Sequence, residues 1–235
     1  MKKPILVAPS ILSADFSKLA DEIKKVEDSR ANMIHIDVMD GCFVPNITIG
    51  PLIVKAVRKC TQLPLDVHLM IEAPRRFVKE FVDAGADIIT VHAEPHSIAT
   101  SNKGQVTGKG MSKSTDKVDE KELKQVLSEI KSLGKKAGVS LNPDSPFCIK
   151  GVLGDIDMIL IMSVHPGFGG QSFISQVLPK IKQARKAFSG DIEIDGGVND
   201  ENVRTVIDAG ANIIVAGSYF FSAKDPVDAV KRLRG

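Results

Sequence analysis

The chain lacks a strong charge of either sign. Thirty-one lysines and arginines against 29 aspartates and glutamates leave a formal net charge of +2 at pH 7. That is too little to hold a nucleic acid or an anionic membrane surface by electrostatics alone. Long hydrophobic runs are also missing, and none approaches the roughly 20 residues of a membrane span. The opening Met1-Lys2-Lys3-Pro4 leads into a strand-like run without the apolar region of a signal peptide. A cytoplasmic protein is therefore expected, or the mature form of an imported organellar one. Cysteine is scarce: Cys42, Cys60 and Cys148 are odd in number and lack metal-like spacing. Reduced thiols in a cytosol-like compartment follow from that. With no low-complexity tail and 43% hydrophobic residues, the length suits one domain over residues 1–235.

What is present is alternation. Apolar, largely β-branched runs fall at 5–8, 33–38, 65–70, 87–91, 137–141, 158–162, 192–194 and 213–216. Between them, helical spacing or helix punctuation falls at 16–26, 51–59, 74–83, 119–133, 174–188, 202–208 and 226–233. Asp15 or Ser17 is a suitable cap for the first helix, and Pro74 with Gly85 brackets the third. Strand followed by helix about eight times is the pattern of an α/β (β/α)₈ TIM barrel. The weakest unit follows the fifth strand, where residues 146–153 are short for a helix. A doubly wound open sheet is the runner-up, but its phosphate glycines usually follow the first strand, not the last three. Residues 95–117 are rich in Ser, Lys, Gly and Thr. They read as a flexible, solvated loop insertion on the C-terminal rim.

Glycine is concentrated where those last strands end. His165-Pro166-Gly167-Phe168-Gly169-Gly170-Gln171 follows the sixth, Gly196-Gly197 the seventh and Gly217-Ser218 the eighth. Such loops let backbone amides converge on a small anion. One phosphate site is predicted, built from Gly167, Phe168, Gly169, Gly170, Gly196, Gly197, Gly217 and Ser218.

In this fold, chemistry sits at the C-terminal strand ends. Those ends supply Ser10, His35, Asp37, Asp66, His68, His92, Met162 and Asp195. His35 and Asp37 are two apart in a strand and face the same side. His68 reaches the same axis from the next strand, and Asp195 comes from across the barrel. Two histidines and two carboxylates form an N₂O₂ metal site that suits Zn²⁺ best, with Fe²⁺, Co²⁺ or Mn²⁺ as alternatives.

Several stretches resemble the ribulose-phosphate 3-epimerase family. They are Pro9-Ser10-Ile11-Leu12-Ser13-Ala14-Asp15-Phe16, His35-Ile36-Asp37-Val38-Met39-Asp40-Gly41 continuing through Phe43-Val44-Pro45-Asn46, and Asp66-Val67-His68-Leu69-Met70. Val164 to Gln171, Asp195-Gly196-Gly197 and Gly217-Ser218 extend the match along nearly the whole chain. The resemblance implies a ribulose-phosphate-binding barrel with one divalent ion per subunit, held by His35, Asp37, His68 and Asp195. It implies epimerisation at C3 of D-ribulose 5-phosphate to D-xylulose 5-phosphate, by two-base proton transfer through a metal-stabilised enediolate. Asp37 and Asp195 would be the acid–base pair. Ser10, His68, Met39, Met70 and Met162 would contact the sugar, and the glycine loops its phosphate. A homo-oligomer is implied as well. The departures are the length of the 95–117 loop and His165. The competing readings are an epimerase for a longer ketose phosphate such as allulose 6-phosphate and a non-catalytic phosphosugar-binding barrel. A barrel decarboxylase would need a lysine beside the cluster, and none follows the His35–Asp37 or Asp66–His68 strands.

Overall fold

The computed structural model describes residues 3–96 and 117–235. Its eight parallel strands are β1 (Leu6–Pro9), β2 (Ile34–Met39), β3 (Leu65–Met70), β4 (Ile88–His92), β5 (Lys136–Leu141), β6 (Met158–Met162), β7 (Asp191–Asp195) and β8 (Ile213–Ala216). They pair in the order β1-β8-β7-β6-β5-β4-β3-β2. The ring is closed between β1 and β2 by one parallel bridge, Ser10 to His35. Below it, the Asn32 amide donates to the Val7 carbonyl at 2.9 Å, and the Val7 amide to Asn32 Oδ1 at 2.9 Å. This is the barrel expected from the alternation.

Helices α1 (Leu19–Asp28), α2 (Pro51–Cys60), α3 (Val78–Ala84), α4 (Glu120–Ser132), α5 (Leu178–Ala187), α6 (Val203–Ala209), α7 (Ser218–Phe221) and α8 (Pro226–Leu233) follow strands in turn. Their starts follow from local chemistry. Asp119 accepts from the amides of Lys121 and Glu122 to open α4, and Asp225 from those of Val227 and Asp228 to open α8. Asp15 is the residue that caps the first helical segment, through the Ser17 amide. The predicted helices at 16–26 and 74–83 each divide into a 3₁₀ turn and an α-helix. The unit after β5 has only the 3₁₀ turn Lys150–Val152, as its short sequence foretells. Helix α7 was not expected. None of the described helices is long and apolar enough to cross a membrane.

The segment 95–117 lies, apart from its ends, outside the described residues. At its start, Pro95 and His96 belong to the 3₁₀ turn Glu94–His96, and His96 is buried.

The side-chain period of two explains how an apolar strand carries a polar site. In β2, Ile34, Ile36 and Val38 join the core beneath the helices, and His35, Asp37 and Met39 face inward. In β3, Leu65, Val67 and Leu69 face out, and Asp66, His68 and Met70 face in. The registers Asp37–His68 and Met39–Met70 put like-facing groups side by side. Ala8, Met33, Ile88, Met158, Ile213 and Val215 form a separate apolar plug. It closes the N-terminal end of the barrel interior, so polar groups above it are reached only from the C-terminal rim.

Candidate active site

The four residues read as metal ligands meet at the centre. Single ligand atoms of His35, Asp37, His68 and Asp195 lie within 4.8 Å of one another. His35 Nε2 is 3.3 Å from Asp37 Oδ1 and 3.9 Å from Asp195 Oδ2. His68 Nδ1 is 3.2 Å from Asp37 Oδ1 and 3.9 Å from Asp195 Oδ2. His35 Nε2 is fully buried without a hydrogen-bond partner among the described residues. An unpaired buried ring nitrogen aimed at two carboxylates is costly by itself and is what a metal site leaves when only its donors are considered. The donors therefore fit a divalent cation.

The surrounding groups hold these donors in place. His35 Nδ1 lies 2.7 Å from Asp66 Oδ2, which fixes which ring nitrogen turns to the centre. Ser10 Oγ donates to Asp37 Oδ2 at 2.6 Å. Glu193 is fully buried 3.6 Å from His35 Nδ1, with neither carboxyl oxygen partnered among the described residues. Sequence reasoning placed Asp66 in β3 without a role and passed over Glu193, which looks like an ordinary polar residue in an alternating strand. The signal available for both was their inward facing, which puts carboxyls two residues before His68 and Asp195.

Burial and neighbouring charge separate the protonation of these groups. Burial pushes Asp37 up, but the adjacent His35 and His68 outweigh it and hold Asp37 well below the usual carboxylate range. Burial, reinforced by Asp37, lifts Asp195 to about 7 against the opposing pull of His35. Burial presses His35 down, yet Asp37 and Asp66 overcome it and raise it well above an ordinary histidine. His68 is pushed down to about 4, chiefly by burial. Glu193 is raised well above the usual range by burial and by Asp66.

A cleft of about 420 Å³ opens above the cluster. Ser10, Asp37, Met39, Met70, Met162, Gly167, Phe168, Gly169, Gly170, Asp195, Gly196, Gly197, Gly217 and Ser218 line it. His35 and His68 do not, being fully buried beneath its floor. Met39 and Met70 pack with Phe43 and Val44, and Met162 with Leu160 and Val164, so the methionines form apolar walls over the polar centre. Phe168 stands at the rim, 59% exposed. His165 is not among the lining residues and lies 3.7 Å from Asp144.

The glycine loops are interlocked. Gly196 and Gly197 have φ of +119° and +64°. A Cβ on Gly197 would come within 2.5 Å of the Phe173 amide nitrogen, and one on Gly196 within 2.8 Å of that of Val164. Only glycine permits this approach of the loop after β7 to the loop after β6. Ser163 Oγ donates to the carbonyls of Asp195 and Gly196 at 2.9 and 2.6 Å, tying strand ends together. Asn46 Nδ2 donates to the Gly167 carbonyl at 2.6 Å from across the cleft. Ser218 begins α7, whose first amides have no acceptor inside so short a helix. Asn202 and Tyr219 also line this end; neither was singled out from the sequence, since no motif marks them.

Fold and site together define a class: a (β/α)₈ barrel with a buried His₂Asp₂ cluster under a glycine-lined cleft. The model of the ribulose-phosphate 3 epimerase family matches residues 6–221. This chain belongs to that family, and with it to the isomerases. It is similar to ribulose-phosphate 3-epimerase from Bacillus subtilis, at 50% identity covering 98% of this chain and 99% of the relative. The chloroplastic ribulose-5-phosphate-3-epimerase of Arabidopsis thaliana is 48% identical, covering 99% of this chain and 77% of that one. Among solved structures, 3-hexulose-6-phosphate synthase aligns with a TM-score of 0.66 at 21% identity, covering 99% of this chain and 98% of that one. That last likeness bears on the fold alone.

Proposed function

We propose that the chain interconverts D-ribulose 5-phosphate and D-xylulose 5-phosphate by moving the C3 proton from one face of the sugar to the other. The observation that carries this reading is the pair Asp37 and Asp195, on β2 and β7, facing one cleft with proton affinities driven apart. Inversion at a carbon next to a carbonyl needs an acceptor on one face and a donor on the other. Asp37 is set to be the carboxylate, and Asp195, near 7, is shared between acid and base at neutral pH. Each turnover leaves the two states exchanged, and they re-equilibrate through the cleft.

Asp37 is a weak base for a carbon acid, because His35 and His68 stabilise its ionised form. Base strength therefore contributes little, and positioning and charge stabilisation must supply the rest. His35, Asp37, His68 and Asp195 would hold one divalent ion, Zn²⁺ by ligand type. Bound there, such an ion supplies Lewis-acid stabilisation of the oxyanion that develops when C3 loses its proton. Ser10 orients Asp37 through its 2.6 Å bond. Met39, Met70 and Met162 exclude water and offer no exchangeable proton. The glycine loops grip the phosphate and turn remote binding into orientation at C3. A homo-oligomeric, cytoplasmic enzyme is part of the same reading.

The test is proton NMR of D-ribulose 5-phosphate with zinc-loaded protein in D₂O. Xylulose 5-phosphate carrying deuterium at C3 is expected. A retained C3 proton with this sugar, alongside exchange in a longer ketose phosphate, would move the substrate and keep the chemistry. No exchange in either, with phosphate-ester binding intact, would leave a binding protein. Asp37→Asn and Asp195→Asn should each lower kcat by at least ~10²-fold, the usual worth of a positioned acid or base. Near-normal turnover in either variant would end the two-base scheme.

A further inference from the structure

Behind His68 runs a chain of buried groups that the proposed chemistry does not use. His68 Nε2 lies 2.9 Å from His92 Nε2, with the two ring planes 20° apart. His92 Nδ1 lies 3.0 Å from Glu94 Oε2. Both histidines are fully buried, and Glu94 is 3% exposed. The other carboxyl oxygen of Glu94 accepts from the Asn142 amide at 2.7 Å and from Ser145 Oγ at 2.6 Å. Lys180 Nζ pins that turn by donating to the carbonyls of Asn142 and Pro143 at 2.6 and 2.8 Å. The chain therefore reaches from helix α5 to the centre of the barrel.

Hydrogen-bond polarity runs one way along it. Glu94 Oε1 is saturated by two donors, so Oε2 is the acceptor offered to His92, and His92 Nδ1 carries the proton between them. A neutral His92 then has its lone pair on Nε2. Only one proton fits between the facing nitrogens, and it belongs to His68 Nε2. His68 is left with a bare lone pair on Nδ1, 3.2 Å from Asp37 and 3.9 Å from Asp195. That lone pair and the Asp37 carboxylate face each other with no donor between them, an arrangement a cation satisfies. His35 is oriented by a shorter route, through Asp66. We infer that His92 and Glu94 are positioning residues of the metal centre, fixing His68 in the tautomer that presents Nδ1 as a ligand.

The inference rests on the metal-binding reading above, and Glu94→Gln separates the two. The Gln oxygen stays with Asn142 and Ser145, which need an acceptor, and its NH₂ turns to His92 Nδ1. Every proton in the chain then shifts by one position, and His68 Nδ1 becomes protonated. Zinc affinity, measured by competition with a chromophoric chelator, should fall about 10–100-fold, as it does when outer partners of ligating histidines are lost. Asp195→Asn, which removes a ligand directly, is measured alongside. If wild-type protein binds zinc and Asp195→Asn weakens it, while Glu94→Gln binds as wild type, the relay is wrong and the metal site stands. If wild-type protein binds no zinc, both fall together. A second measurement needs no variant: ¹⁵N spectra of histidine-labelled, metal-free protein should show the His68 proton on Nε2. A proton on Nδ1 would overturn the proposal even if Glu94→Gln fails to fold.

Discussion

At the scale of the residue, metal binding at the proposed site would be a competition between a divalent ion and two protons. His68, near 4, is already neutral at working pH and has no proton to lose. His35, raised by Asp37 and Asp66 over the opposing effect of burial, and Asp195, lifted to about 7, both hold protons that a metal must displace. Zinc affinity should therefore climb at least ~10-fold per unit between pH 6 and 7, read by chelator competition at fixed ionic strength. A flat profile would mean that those protons are not there. Affinity is a cleaner readout than stability, because the stability contributions oppose one another. In the metal-free protein, His35 and Asp195 contribute stability that is present at low pH and lost as pH rises through their raised values. His68 contributes stability present above 6.5 and lost as pH falls toward 4. The candidate ligands were legible in the sequence because strand alternation alone sends His35 and Asp37 to one face. Asp66 and His92 were noted at strand ends but without roles, and Glu193 and Glu94 were passed over, since those roles depend on which atoms meet across strands. Nothing in a linear spacing says that the ring nitrogens of His68 and His92 face each other.

At the scale of the element, the proposed phosphate end is a set of loops whose fit depends on missing side chains. Gly197 combines positive φ with a neighbour's amide 2.5 Å from where a Cβ would stand. Gly197→Ala should destabilise the protein by at least ~1–2 kcal/mol, the cost of a left-handed alanine alone. The extra crowding against Phe173 should also raise KM for the phosphorylated sugar more than it lowers kcat. A lower urea midpoint with unchanged KM would confine Gly197 to a folding role. The glycine clusters after β6, β7 and β8 announced these loops, because glycines gathered at three successive strand ends mark places where backbone must approach closely. The short α7 went unread. Ser218-Tyr219-Phe220-Phe221 is one turn long, too short to display a helical period, and what holds it is packing: Phe220 is fully buried. The helices at 16–26 and 74–83 were placed but not their opening 3₁₀ turns, which depend on local hydrogen bonds such as Asp15 to Ser17.

At the scale of the whole molecule, the barrel encloses a polar column between an apolar plug and an open rim, and His35, Asp37, His68, Asp66 and Glu193 are all buried in it. Metal binding should accordingly be a large stabiliser. At a free concentration ~1,000 times Kd, a ligand specific to the folded state adds ~4.1 kcal/mol. For a chain of 235 residues that is a rise in Tm of ~8–16 °C. Calorimetry of zinc-loaded and chelator-treated protein measures it, and equal transitions would argue that no ion is held in the interior. The joint between β1 and β2 gives this a geometric meaning. Seven of the eight strand junctions are continuous ladders, and the eighth is stitched at Ser10–His35, beside Ser10's bond to Asp37. The wall is thus thinnest where the first ligand sits. The proposed ion, held by His35 and Asp37 on β2 and by Asp195 on β7, would tie the two sides of that gap together like a rivet across a seam. Amide exchange around Ser10 and His35 should slow most when the ion goes in, far more than along the well-laddered far side of the ring.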